Sequence, residues 1–339
     1  MAAPTPPLAP GLSALDLIRE SLDRYFEGMK AYGLAGAQHD VPYDFLDSYP
    51  SLLIAASDYV QGSKDQAWLQ KNYARLKAWA DRMLAMDRDG KGLLEYPLSG
   101  NSGSWAPGVP VRPANWWDDI GFGHQDAYSN ALAYHALNGM AELARQAHHF
   151  ADAQLYSARA AKLRAVYFQT FYNPETGLLA GWKSADGKLH DYYFTFVNGA
   201  AIVYGLVPPD KANPIMNRLL AKLKEVSYSC FQYGLPGVLL PVRAEDYVWG
   251  TRDPFQVYQN GGATGSFAYF TLQALYQLGR RAEADAILFP LLEGYESGGF
   301  QGFGPNGKSY DWKSWDGSPH GYEGLLVDNY QALLAVLAR

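Results

Sequence analysis

The chain has 339 residues, of which 48% are hydrophobic and 18% charged. That is enough apolar sequence for a large core and too much for a disordered polymer. Its 28 Lys and Arg against 34 Asp and Glu leave a net charge of −6 with no basic block, which speaks against a phosphate-backbone binder, so no nucleic-acid partner is expected. Apolar runs such as Gly199 to Val207 fall far short of the roughly 20 residues a membrane span requires, so no membrane partner is expected either. The single cysteine, Cys230, excludes an internal disulfide and a cysteine-built zinc site and reads as a small buried residue.

In chain order, residues 1–11 (MAAPTPPLAPG) are Pro- and Ala-rich and read as a flexible lead-in without the charged and apolar regions of a signal peptide. A soluble, cytoplasmic protein is expected, or a periplasmic or secreted one where a leader has been removed. Residues 12–339 read as one domain. Leu15, Ile18, Leu22, Tyr25, Phe26 and Met29 recur at three- and four-residue spacings, predicting an amphipathic helix over Leu12 to Tyr32. Further helices are predicted over Ser48 to Val60 and Asp65 to Met86, split at Gly62 and Ser63, and over Asp126 to Ala147 and Phe150 to Phe171. Phe194 to Leu206 and Asp210 to Tyr228 follow, broken by Pro208 and Pro209. Thr264 to Leu278 and Arg281 to Gly294 meet at Gly279, and Tyr322 to Leu337 closes the chain. Strand signals are confined to short stretches around Leu178 to Trp182 and Gly237 to Val242.

The recurring unit is an apolar, Ala-rich helix, a tight turn and a more charged helix, with long Gly-, Trp- and Asp-containing loops between pairs. Such hairpins stacked about an axis form an all-α, (α/α) toroid. The ten predicted helices fall two short of the twelve in a six-hairpin (α/α)6 ring, so one hairpin is expected to be degenerate, in the Gln232 to Asp253 stretch, or the ring to hold fewer hairpins.

Polar and aromatic residues cluster just ahead of the apolar helices. These are Tyr43 and Asp44; Asn115 to Asp119 (NWWDD); His124 to Asp126; Asp191 to Tyr193; Val257 to Gly262 (VYQNGG); and Pro319 to Gly324 (PHGYEG). In a toroid these loops converge at one mouth. The 9 Trp and 25 Tyr of the chain supply flat apolar faces edged with hydroxyls, and carboxylates beside them suit sugar recognition and acid/base cleavage of a glycosidic bond. Tyr43, Asp44, Trp116, Trp117, Asp119, His124, Asp126, Tyr258, Asn260, Gln301, Trp315 and His320 are the expected substrate-binding residues, with Trp312 beside Trp315 as a lid or subsite wall. Asp126 opens a helix and reads first as its N-cap. Asp118, Asp119 and Asp126 are all open as the acid. Burial beside indole would raise such a carboxyl and keep it protonated. Asp87 to Gly92 (DRDGKG) has the outline of a calcium loop, but Lys91 stands where a ligand is needed and a plain turn is expected. No metal or cofactor is expected.

The segment Asn115 to Leu137 (NWWDDIGFGHQDAYSNALAYHAL) resembles the catalytic loop and following helix of the six-hairpin glycosidases, which include trehalases, processing α-glucosidases with mannosylglycerate hydrolases, and glycogen-debranching glucosidases. Tyr258 to Leu275 (YQNGGATGSFAYFTLQAL) resembles their Asn-Gly loop and inner helix. The resemblance implies that Asp118, of Trp117-Asp118, is the general acid. Those families carry their base in a Glu-Xaa-Tyr motif. The nearest match here, Phe300 to Pro305 (FQGFGP), has Gln301 at that place, and an amide cannot take a proton from water. Glu323, at the mouth end of the closing helix, is the expected replacement, with Glu293 and Glu296 as weaker candidates and Asp328 as a residue orienting Glu323. The resemblance implies an inverting, exo-acting hydrolase of a small saccharide or glycoside. Two other classes stay open: a sugar epimerase or isomerase with His124 and His320 as its proton-transfer pair, and a non-catalytic saccharide-binding protein. The sequence leaves the oligomeric state open.

Overall fold

The computed structural model describes residues 7–9, 11–27, 45–96, 113–117, 119–248, 252–298, 310–323 and 327–339, with the side chains of 7–9, 322–323, 327–330, 333 and 338 left aside. Ten α-helices and eleven short strands occur among them. They fall into two compact units, residues 1–96 with 132–166, and residues 97–131 with 167–339. No helix among the described residues is long and apolar enough to cross a membrane.

In the first unit, strands β1 (Pro7–Ala9) and β2 (Leu12–Ser13) precede α1 (Ala14–Glu27), α2 (Ser48–Ser63) and α3 (Gln66–Leu84). Helices α4 (Ala127–Gln146) and α5 (Phe150–Phe171) begin or end in the other unit. The α2–α3 break falls later than the Gly62–Ser63 position the sequence suggests. Helix α2 continues through both residues and stops at Lys64, which adopts the left-handed conformation (φ 60°). Asp65 then caps α3 by accepting the Trp68 N–H at 2.9 Å, satisfying one of the donors left open at a helix start. Trp68 donates its indole N–H to Asp23 at 2.9 Å and packs edge-on to Tyr59, while Phe26 stacks on Trp79 at 4.3 Å. The Asp87 to Gly92 segment is a turn. Asp87 Oδ1 accepts the Gly92 N–H, and the Lys91 ammonium lies 2.8 Å from Asp89.

The second unit holds β3 (Gln125–Asp126), β4 (Tyr172–Asn173), β5 (Leu178–Leu179), β6 (Trp182–Lys183), β7 (Leu189–His190), α6 (Thr195–Val203), α7 (Pro209–Glu225), β8 (Leu235–Pro236), β9 (Ala263–Thr264), α8 (Gly265–Gln277), α9 (Arg281–Glu296), β10 (Tyr310–Lys313), β11 (Pro319–Glu323) and α10 (Val327–Ala338). Helix α8 packs against α6, α9 and α10. Antiparallel strands order as β3-β6-β7 and as β11-β10-β9-β8. The local strand expected over Gly237 to Val242 is instead the two-residue β8 just before it. The closing helix also starts later than its apolar spacing suggests. Residues 319–323 pair with β10, and the helix begins at Val327. Gly321 makes this possible. Its φ is +81°, and a Cβ there would lie 2.1 Å from Asp311 Oδ1, so only glycine accommodates the irregular register between Tyr310 and Trp312.

The core of this unit is aromatic. Trp117, 0% exposed, contacts Phe122, Phe194, Phe196, Phe267 and Trp312 with ring centroids 5.1 to 6.4 Å apart. Offset and edge-on pairs of this kind contribute about 0.5–1.5 kcal/mol each beyond the area they bury.

Candidate active site

The segment from Ala114 to Asp126 carries the NWWDD motif and is held almost residue by residue. Asn115, fully buried, accepts the Trp117 N–H on Oδ1 at 2.8 Å and donates Nδ2–H to Asp126 Oδ2 at 2.9 Å. Ala114 donates to the Gly121 carbonyl, closing the loop on itself. The Asp119 N–H goes to Gln259 Oε1 at 2.9 Å, and its carbonyl accepts the Val248 N–H at 2.7 Å. Gly121 donates to the Asp246 carbonyl, and Ile120 bridges antiparallel to Tyr247. Asp118 lies outside the described residues, yet both residues flanking it are pinned.

Asp126 sits at the end of this loop in β3 and is 0% exposed. Its Oδ1 accepts the Tyr128 N–H at 2.8 Å, and its Oδ2 accepts from Asn115 and from the Ser129 hydroxyl. This is an N-cap of α4. Burial pushes the Asp126 carboxyl up to about 6, against the lowering effect of Ser129, Asn115 and two backbone N–H groups. Trp117 and Asn260, 0% and 1% exposed, likewise hold the loops from behind. Asn260 accepts the Val242 N–H at 2.8 Å and donates to the Asp253 carbonyl at 2.7 Å.

Trp116, Asp119, His124, Tyr258, Trp315 and His320 keep partial exposure. Several share one aromatic frame. Trp116 lies 6.4 Å from Trp312, and Tyr258 lies 4.9 Å from it. Trp312 is opposite His320 in the β10–β11 register. Trp312 is 1% exposed, so it belongs to this frame's interior, whereas the sequence suggests a lid or subsite wall. Trp315 donates its indole N–H to the Gly261 carbonyl at 2.6 Å, and Cys230 donates Sγ–H to the Trp315 carbonyl at 3.0 Å. Glu323, expected in the first turn of a helix, lies instead in β11 opposite Tyr310, because Tyr322 and Glu323 follow the extended pairing that Gly321 permits. Glu293 and Glu296 are exposed at the C-terminal end of α9. Tyr43, Asp44 and Gln301 lie outside the described residues, as does the side chain of Asp328.

Sequence reasoning missed Gln259. It stands inside the VYQNGG motif, but nothing in the motif marks which polar residue turns inward. It also missed a buried cluster behind the loop. His190, 0% exposed, donates Nδ1–H to Asp246 Oδ2 at 3.0 Å and pairs through Nε2 with the Ser184 hydroxyl at 3.0 Å. Tyr192 donates its hydroxyl to the same Asp246 oxygen, and Arg243 donates Nε–H to the Tyr192 oxygen at 2.9 Å. Burial alone would raise the Asp246 carboxyl, but hydrogen bonding and charge from His190, the Tyr192 hydroxyl and the Arg243 guanidinium outweigh it and hold the group below its ordinary value. No group of three or more His, Cys, Asp or Glu among the described residues is placed to hold a metal ion.

The chain is similar to several solved structures. A mannosylglycerate hydrolase from Thermus thermophilus, in complex with glucose, superposes with a TM-score of 0.59 at 16% identity, covering 90% of this chain and 80% of that one. A rhamnosidase from Klebsiella oxytoca with rhamnose bound gives 0.54 at 17% identity over 96% of this chain. The GH78 family rhamnosidase of Bacillus sp. GL1 gives 0.55 at 15% identity over 84% of this chain. The chain spans 25% of the length of the Bacillus enzyme and 53% of the Klebsiella one. No curated protein sequence matches it. At these identities the likeness establishes the fold class, the all-α six-hairpin architecture. The family model for the bacterial α-L-rhamnosidase six-hairpin glycosidase domain matches residues 49–238, more than half of the 339 residues, and the chain therefore belongs to that family of glycosidase domains.

Proposed function

We propose that the chain hydrolyses a glycosidic bond with inversion of configuration, releasing the terminal sugar of a small saccharide or glycoside, with Asp118 as general acid and Glu323 as general base. The observation that carries this reading is the anchoring of the Asp118 peptide. Asn115 fixes the residue before it, and Gln259 and Val248 fix the residue after it. A general acid must present its proton to the leaving oxygen in one geometry, and a misplacement of about 1 Å costs on the order of a hundredfold in rate. A backbone pinned on both flanks suits that task.

The base is argued from β11. Glu323 is opposite Tyr310, two residues before Trp312, whose ring touches the Trp116 and Trp117 rings of the acid loop. In an inverting hydrolase the acid protonates the departing oxygen while the base takes a proton from a water on the opposite face of the sugar, with the two carboxyls about 6.5–9.5 Å apart. Trp116, Tyr258 and Trp315 offer partly exposed aromatic faces to sugar C–H surfaces, and Asp119, His124 and His320 offer polar groups to hydroxyls.

The first substrate to try is an α-L-rhamnoside, because the family is that of rhamnosidase domains and the Klebsiella relative was solved with rhamnose bound. The experiment is a panel of 4-nitrophenyl glycosides, α-L-rhamnoside, α-mannoside and α-glucoside among them, run with the unmodified chain and with Asp118→Asn and Glu323→Gln. Turnover of at least one glycoside is expected, with kcat falling by about a thousandfold in Glu323→Gln on the panel and in Asp118→Asn on the methyl glycoside of the same sugar, whose leaving group needs protonation. Turnover of that methyl glycoside unaffected by Asp118→Asn would remove the assignment of the acid.

A further inference from the structure

The buried cluster of His190, Tyr192 and Asp246, edged by the exposed Arg243, lies behind the acid loop, and the proposed mechanism makes no use of it. Its position in the backbone connectivity is specific. Asp246 begins the segment 246–248 that pairs with residues 119–121, through Gly121 N–H to the Asp246 carbonyl at 3.1 Å and Val248 N–H to the Asp119 carbonyl at 2.7 Å. The same residue's carboxylate is the hub of the cluster. Its Oδ2 accepts from His190, from Tyr192 and from Arg243 Nη2 at 3.3 Å. Its Oδ1 is buried with no hydrogen-bond partner among the described residues.

The other end of the cluster reaches the other end of the loop. His190 is paired with Trp182 in the β6–β7 register and stacks on its ring at 4.5 Å and 7°. Trp182 is paired in turn with Asp126 of β3, the residue that ends the acid loop and caps α4. The loop is thus gripped at 119–121 and at 126 by elements that are joined through the His190–Asp246 hydrogen bond. A carboxylate and an imidazole drawn together in a core are costly compared with apolar residues of the same volume, and the Arg243 guanidinium reaches them only from the exposed edge. What they supply that apolar packing does not is a fixed direction, since each donor reaches one oxygen along one line.

We infer that His190 and Asp246 are positioning residues for the proposed glycoside hydrolysis, holding segments 119–121 and 126 in register so that Asp118 meets the leaving oxygen. This rests on the hydrolase reading above, and neither residue touches the substrate. The effect acts through the acid alone, which gives it a signature. A glycoside with a poor leaving group requires protonation of the departing oxygen, whereas a 2,4-dinitrophenyl glycoside departs without it.

The test uses Asp246→Asn and, should that variant fail to fold, Tyr192→Phe, which removes one donor to the hub and leaves the carboxylate in place. kcat is measured on methyl and 2,4-dinitrophenyl α-L-rhamnoside, or on the same pair for the sugar most rapidly cleaved in the panel above. Loss on the order of a hundredfold on the methyl glycoside, and within about threefold on the dinitrophenyl one, is expected. Equal losses on the two, or no loss on either, would overturn the inference. Amide hydrogen exchange at Gly121 and Val248 supplies a readout independent of turnover, and both amides are expected to exchange faster in the variants. Unchanged exchange overturns the clamp whatever the kinetics. Faster exchange in a chain that cleaves no glycoside overturns the hydrolase reading, and the catalytic role of the clamp with it.

Discussion

Gln259 Oε1 accepts the backbone N–H of Asp119 at 2.9 Å, although the two residues are 140 apart in sequence. The side chain of one loop thereby sets the peptide that follows Asp118 in another. Gln259 is 1% exposed, so its amide has no water as a ready substitute.

Replacing that amide by an apolar side chain of similar shape, Gln259→Met, takes its acceptor from the Asp119 N–H of this part-buried contact. The cost of losing such a hydrogen bond is about 0.5–1.5 kcal/mol. Urea unfolding should report a lower midpoint with an unchanged m-value, and kcat on the best glycoside of the panel should fall by more than KM rises. A variant with wild-type stability and kcat would show that the contact does not hold the loop.

The Asp126 carboxyl is pushed up to about 6 by burial, above the ordinary value of about 3.9 in an unfolded chain. A folded state that prefers the protonated carboxyl has its full contribution below pH 4 and loses it as pH rises through 6. The ionised form therefore weighs against folding at neutral pH by about 3 kcal/mol relative to a permanently neutral group. Unfolding free energies of the unmodified chain and of Asp126→Asn, measured from pH 4 to pH 8, should diverge across that window in favour of the variant. Parallel curves would mean that the carboxyl titrates at its ordinary place.

Gly237 is fixed by packing. A Cβ at this position would stand 2.6 Å from Trp117 Cζ2 and 2.6 Å from Phe267 Cε2, and both rings are locked among other aromatics. Gly237→Ala should destabilise the fold by about 1–3 kcal/mol, as overpacking of a filled core does. Differential scanning calorimetry reads this as a lowered Tm, and an unchanged Tm would show that the two rings can yield.

All ten helices are legible in the sequence, because each carries an apolar face at helical spacing and most have a Gly, Pro or Asp near an end. The ends are less so. Lys64 terminates α2 by adopting φ 60°, a conformation its type does not advertise. Glu323 is misread for a related reason. Tyr322 to Leu337 has a continuous helical pattern, and only pairing with β10, ten residues upstream and without a strong strand signal, makes residues 319–323 extended. Of the candidate site, Trp116, Trp117, Asp119 and Tyr258 are legible from their motifs, and the structure brings them into one neighbourhood. The residues that hold the acid loop are not. His190, Tyr192, Arg243 and Asp246 come from segments up to 56 residues apart; Tyr192 falls in a cluster expected at the mouth, but nothing there points it inward to Asp246, and the other three each look like ordinary loop polarity. Only the backbone pairing of 119–121 with 246–248 gives them a common purpose.

In the proposed mechanism water attacks one face of the sugar under Glu323 while Asp118 releases the leaving group from the other. Proton NMR of the anomer first released, recorded before mutarotation on the best glycoside of the panel, tests it most directly. Inversion yields the anomer opposite in configuration to the substrate. Release of the anomer with the substrate's own configuration would contradict it, since that outcome requires a covalent glycosyl intermediate between two carboxyls only about 5–5.5 Å apart.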